Sequence, residues 1–182
     1  IQKHSYVFGR DKIYLSKSPS HTSKILSLKK TFPGCRFIYM LRIPEETISS
    51  AIGMYKVYKR IFHTNAGLSV LIKQTLSFAD IFYSYLKIVE SMEKNTAIIL
   101  KFEDLVNEPD KAIQSVYKNF ELQLSADFEN KLQIIAKESA SYISPHKHSI
   151  EQHGMKAPYI RERYSQVYQS YFVIIKPNHF LF

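Results

Sequence analysis

Cys35-Arg36-Phe37-Ile38-Tyr39-Met40-Leu41-Arg42-Ile43-Pro44-Glu45-Glu46 is the stretch on which the fold turns. From Cys35 to Leu41 the run is nearly all apolar, which predicts a strand buried on both faces within a parallel sheet. Arg42-Ile43-Pro44 ends that strand and opens a helix. Proline suits the first helical position because it has no amide proton to lose there, and Glu45 and Glu46 suit the positive end of the helix dipole. Ile48, Ile52 and Tyr55 carry the helix on towards Tyr58.

Upstream, Lys12-Ile13-Tyr14-Leu15 reads as a short strand. Ile25, Leu26, Leu28 and Phe32 form an amphipathic helical stripe that Pro33-Gly34 stops. Downstream, residues 69–93 give the strongest helical pattern, with Leu76, Ala79, Ile81, Phe82, Tyr85, Leu86 and Val89 as its packing set. Thr96 to Phe102 returns to a short apolar strand. Pro109 starts a helix that runs to about Phe120, and Ser125 caps another through Ile134 and Ile135. A last helix is expected from about Pro158 to Phe172, and the apolar tail 173–182 reads as a strand or a loosely packed end. Strands alternating with longer helices predict one α/β domain over 1–182, three-layered with a mostly parallel sheet. Ligands in that class sit beyond the carboxyl ends of strands.

A chain of 182 residues with 45% hydrophobic and 23% charged side chains has the composition of a folded domain. Its 25 Lys and Arg against 16 Asp and Glu give a net charge of +9, which attracts polyanions, phosphate-bearing ligands among them. No Arg/Lys-rich tract stands out, so nucleic acid is an unfavoured partner. One cysteine, Cys35, excludes an internal disulfide framework and a multi-cysteine metal site. No apolar run is long enough to span a bilayer, and no targeting segment is visible, which gives a cytoplasmic expectation. The chain opens on Ile1 rather than Met, which points to processing or a fragment.

Three polar clusters follow strands: Lys17 to His21, Arg42 to Ser50, and Glu103-Asp104. Arg42 sits just before a helix amino end, where a guanidinium fork and backbone donors can meet phosphate oxygens. Ser50, two turns on, can add a hydroxyl. The bland alternative pairs Arg42 with Glu45 or Glu46 and makes Ser50 a small packing residue. Lys17 is either a point-charge phosphate ligand or a solvated side chain, and His21 either exchanges a proton with a hydroxyl or is an exposed first-turn residue. Lys147, with Arg161 and Arg163, is either a basic flap over an anion or plain surface. His146, His148, Glu151 and His153 match no zinc spacing, so no metal is expected.

Lys17-Ser18-Pro19-Ser20-His21, Phe32 to Ile38, Arg42-Ile43-Pro44 with Ser50, Phe102-Glu103-Asp104-Leu105-Val106-Asn107-Glu108-Pro109 and Tyr142 to Gly154 appear in that order. The ordered set resembles the sulfotransferases that use 3′-phosphoadenosine 5′-phosphosulfate (PAPS), particularly their bacterial-type branch, over roughly residues 12 to 172. The resemblance implies a P-loop, nucleoside-kinase-like fold and transfer of a sulfuryl group to a hydroxyl or amine on a carbohydrate, lipid or small metabolite. It puts Arg42 and Ser50 on the 3′-phosphate of the donor, with Lys147 as a further donor contact. Lys17 is the candidate to stabilise charge near the sulfonate, and His21 the candidate base. Glu103-Asp104-Leu105 is mainly architectural. The family often has Asp between the arginine and the proline, where this chain has Ile43, so a polar strut is missing. No glycine-rich phosphate loop is visible, so the domain is expected to be incomplete at its amino end.

Two other functions fit parts of the pattern. A related phosphotransferase requires a lysine-bearing phosphate loop upstream and a Mg²⁺-binding acid at a strand end. A truncated, non-catalytic nucleotide-binding or structural protein fits the missing loop and Ile43.

Overall fold

The computed structural model describes residues 6–7, 9, 12–62, 65, 67–139 and 149–172. Chain contacts divide it into two compact units, Ile1–Cys35 and Arg36–Phe182. In the first, a 3-10 helix, Pro19–Lys24, leads into α1, Ile25–Thr31. Lys12 to Leu15 form no strand there. Ile13 and Leu15 are exposed, and the segment has none of the ladder pairing that a strand needs.

The second unit is built around the quoted stretch. β1 spans Phe37–Leu41 and pairs in parallel with β2, Ala97–Lys101, in the register Phe37↔Ala97 to Leu41↔Lys101. These two strands make the whole sheet among the described residues. The expected three-layer, nucleoside-kinase-like architecture with a mostly parallel sheet is therefore corrected: the described fold is largely helical around a two-stranded, unclosed sheet. The parallel pairing itself is present. What fails is the extension of two short apolar runs to a wide sheet, because the remaining apolar residues are spaced for helices.

Burial on both strand faces is also only partial. Tyr39 and Leu41 are buried on one face, whereas Ile38 on the other remains 41% exposed. The Tyr39 hydroxyl donates to the Phe82 carbonyl at 2.6 Å, and their rings stack at 4.7 Å. Burial pushes the Tyr39 phenol far above its ordinary range. On the opposite face, Met40, Ile98 and Leu100 pack with Ala112, Val116 and Phe120.

Helix α2, Pro44–Ile61, follows β1, and α3, Leu68–Ser84, follows α2. Ile48 and Ile52 are fully buried, and Leu71, Ala79 and Tyr83 face inward from α3. The long helix expected over 69–93 is broken at Tyr85, whose amide bonds back to Phe82 and Tyr83, and α4, Leu86–Glu90, follows. After β2 come α5, Phe102–Asn107, α6, Pro109–Asn119, and α7, Ala126–Ser139. Pro109 occupies the first turn of α6, and the Ser125 hydroxyl accepts the Phe128 amide at 3.3 Å, so both sequence-read starts are present. A short 3-10 turn, Glu151–His153, precedes α8, Ala157–Arg163, and α9, Ser165–Tyr171. The single final helix expected from the sequence is thus two, divided at Tyr164, whose hydroxyl is drawn to Asp80 at 2.9 Å. The tail 173–182 lies outside the described residues.

Candidate functional site

The corner between β1 and α2 is set by local chemistry. Leu41 is fully buried and anchors the strand end. Ile43 is the residue before the helix, with φ −52° and ψ 129°, and it offers no side-chain cap. An aspartate at this place would accept a first-turn amide, which gives the missing polar strut its physical meaning. Instead the amides of Glu46 and Thr47 bond the Ile43 carbonyl at 3.1 and 3.0 Å. The Glu46 amide, one of the free donors that a helix start offers an anion, is therefore already engaged, and the Thr47 bond is the first of the helix itself.

Arg42 leaves this corner half-buried. Its Nε and Nη2 both donate to Glu46 Oε2 at 2.8 Å, and its guanidinium carbon lies 4.4 Å from the centre of the Phe102 ring. Glu46 and Phe102 thus hold the plane of the fork, leaving Nη1 to meet a ligand. Its backbone is fixed from the other side, where the Tyr83 hydroxyl donates to the Arg42 carbonyl at 2.9 Å and reaches Thr47 Oγ1 at 3.2 Å. Burial pushes the Tyr83 phenol well up, the Thr47 contact opposes this, and the charges of Tyr164, Glu45 and Glu103 add to it. Both Glu103 carboxylate oxygens are enclosed without a hydrogen-bond partner. Ser50 lies one turn beyond Glu46 on the same side of α2, and it is half-buried. Arg42 precedes the helix and reaches this side through its contact with Glu46.

The neighbouring face of α2 holds a network that motif reading misses. Ser49 is fully buried; its hydroxyl donates to the Ser149 carbonyl at 2.9 Å and receives Gln152 Nε2 at 3.0 Å. The buried His153 places Nε2 3.1 Å from the Ser49 carbonyl and 3.2 Å from its hydroxyl, and Nδ1 2.9 Å from Lys56 Nζ. The lysine ammonium can only donate, so Nδ1 accepts and the imidazole proton sits on Nε2. This fastens residues 149–153 to α2 beside Ser50. Gly154 closes the turn with φ 73°, a left-handed conformation that disfavours any side chain. No spacing rule links Ser49, Lys56 and His153, since their partners are about a hundred residues away.

The other predicted residues are placed as follows. Lys17 is exposed in the coil before the 3-10 helix of the first unit. His21, in that helix, has Nε2 3.1 Å from Ser16 Oγ, with Nδ1 enclosed and without a hydrogen-bond partner. It is half-buried rather than an exposed first-turn residue. Lys147, His146 and His148 lie outside the described residues. Arg161 and Arg163, read either as part of a basic flap with Lys147 or as plain surface, each hold a carboxylate. Arg161 donates to Glu45 at 2.8 Å, and Arg163 grips Asp80 with Nε at 3.0 Å and Nη2 at 2.5 Å.

Residues 2–127 match the family model described as the sulfotransferase family. Two curated relatives are 28% identical over 126 residues, which is 67% of this chain and 31% of theirs. Both are called omega-hydroxy-beta-dihydromenaquinone-9 sulfotransferase Stf3, one from Mycobacterium bovis and one from Mycobacterium tuberculosis. The chain thus spans about a third of the length of the curated relatives it matches. Among solved structures, the sulfotransferase STF9 from Mycobacterium avium superposes with a TM-score of 0.70 at 14% identity, over 86% of this chain and 41% of that one, a likeness of fold.

Proposed function

Because this chain belongs to the sulfotransferase family, we propose that it forms the 3′-phosphate side of a PAPS site in an enzyme that sulfates a hydroxyl or amine acceptor. The observation that carries the reading is Arg42, held at a strand–helix corner by Glu46 and Phe102, with Ser50 one turn beyond Glu46 on α2. A guanidinium and a hydroxyl at that spacing suit the oxygens of one phosphate, and Glu46 keeps the fork oriented before a ligand arrives.

The donor supplies an activated sulfuryl group. In transfer, the acceptor oxygen or nitrogen bonds to sulfur as the bond from sulfur to the bridging phosphate oxygen breaks, and the acceptor proton passes to a base. Lys17 is assigned to the charge that develops near the sulfonate, His21 to the proton, and Lys147 to a further contact with the donor. The named relatives are described as acting on a hydroxylated dihydromenaquinone, so we read the acceptor here as a hydroxyl on an apolar molecule.

The test is titration with the product nucleotide, 3′-phosphoadenosine 5′-phosphate, comparing the intact chain with Arg42→Ala. The substitution weakens binding by about 1.5–3 kcal/mol, the scale of a hydrogen bond to a charged group. Equal affinity in the two proteins rules out this corner as the phosphate site.

A further inference from the structure

The guanidinium assigned above to a phosphate already carries a carboxylate. Arg42 Nε and Nη2 both donate to Glu46 Oε2 at 2.8 Å, and Arg42 is the one side-chain partner of Glu46 among the described residues. Either an arriving phosphate displaces Glu46, or the two anions occupy different parts of the fork.

An arginine presents two edges with parallel N–H bonds. The side edge is made by Nε and Nη2, and the end edge by Nη1 and the second proton of Nη2. Glu46 takes the side edge. Phe102, the first residue of α5, lies against a face of the fork, and Tyr83 of α3 holds the Arg42 carbonyl at 2.9 Å. Side edge, ring face and backbone are thus engaged by three different elements, while no described residue bonds the end edge. Glu45, the other acid of the first turn, is committed to Arg161 at 2.8 Å and does not compete for Arg42. A long side chain held in this way has lost its rotamer freedom in folding, and little is left to lose on binding. Because Ser50 lies one turn beyond Glu46, pinning Arg42 to Glu46 keeps the fork on the side of α2 that carries this hydroxyl.

We propose that Glu46 is a positioning residue that stays on Arg42 when the donor binds, so that the 3′-phosphate is received end-on, with two of its oxygens on Nη1 and Nη2. Glu46 acts through Arg42 and touches no ligand. It places a fixed negative charge near the phosphate, and the oriented fork outweighs that repulsion. A phosphate offers the paired oxygens that an end edge needs, whereas a 3′-hydroxyl offers one, so the arrangement favours nucleotides phosphorylated at that position. The inference rests on the donor-site reading and adds to it the edge used and the persistence of the ion pair.

Titration with 3′-phosphoadenosine 5′-phosphate separates positioning from repulsion by sign. Charge alone predicts tighter binding once a carboxylate beside an anion is removed. Positioning predicts that Glu46→Ala weakens binding at least about threefold. Glu46→Gln, whose amide oxygen still accepts from the side edge, binds within about twofold of the parent or more tightly. In an Arg42→Ala background, Glu46→Ala no longer weakens binding, since no fork is left to orient. Circular dichroism and urea midpoints matching the parent verify that the variants are folded. Equal weakening by Glu46→Ala in both backgrounds would assign Glu46 a merely structural role and overturn the proposal. Tighter binding by Glu46→Ala in the parent would do the same, because it marks a carboxylate that the phosphate must displace. A loss in Arg42→Ala with none in Glu46→Ala leaves the donor site standing and sinks the positioning role alone. Equal affinity of the intact protein and Arg42→Ala removes the donor site, and this proposal with it.

Discussion

His153 shows how a residue acquires its role from distant partners. By sequence it is one of several histidines in a polar stretch, yet its ring is buried between Ser49 and Lys56 and closes the 149–153 segment onto α2. Replacing it with alanine leaves the Ser49 carbonyl without that donor and the Lys56 ammonium without that acceptor. His153→Ala is expected to lower stability by about 2–3 kcal/mol in urea unfolding. His153→Gln, which can keep one contact, is expected to lose less. An unchanged midpoint in the alanine variant would show that the network does not hold the segment. Arg42 is the opposite case. Its position after an apolar run and before Pro44 marks it in the sequence, and its pairing with Glu46 was one of the two partners the spacing allowed. Its stacking on Phe102 was not readable, because the ring arrives from the end of β2.

At the scale of elements, starts were more legible than ends. Pro44 and Pro109 each stand in the first turn of a helix, and Ser125 caps the next, because these signals act through the nearest backbone atoms. The breaks at Tyr85 and Tyr164 carry no Gly or Pro. At Tyr164 the hydroxyl contact to Asp80 on α3 accompanies the break, and only the assembled fold supplies that contact. The two sides of α2 make a direct comparison possible. Ile52→Ala, which empties a fully buried site, is expected to cost about 2–5 kcal/mol. Ile61→Ala, on the outer face, is expected to change stability by less than about 0.5 kcal/mol. Equal losses in denaturant unfolding would place Ile61 in the core.

Across the whole molecule, long-range polar contacts tie the C-terminal helices to α3. Asp80 accepts two bonds from Arg163 and one from Tyr164, and the Arg163 contacts hold its carboxyl below its ordinary value of 3.8 despite some desolvation. A carboxylate held down in the folded state stabilises the fold above that ordinary value, and the contribution is lost as pH falls through the lowered one. Both partners are at least a third exposed, so solvent screening limits the effect to about 0.5–1 kcal/mol. Thermal unfolding from neutral pH into acid is therefore expected to fall less steeply in Asp80→Asn than in the parent. Parallel acid limbs would show that Asp80 does not carry this linkage. By itself the sequence determined a strand within 35–41, of which 37–41 form β1, the corner at Arg42-Ile43-Pro44, the main helix starts and the family, all written in neighbouring residues or in an ordered set of short motifs. Tertiary structure alone decided that the sheet has two described strands, that Lys12 to Leu15 stay outside it, and that His153 is buried. Strand pairing and polar burial depend on partners far along the chain, and local apolar patterning cannot specify which partner arrives.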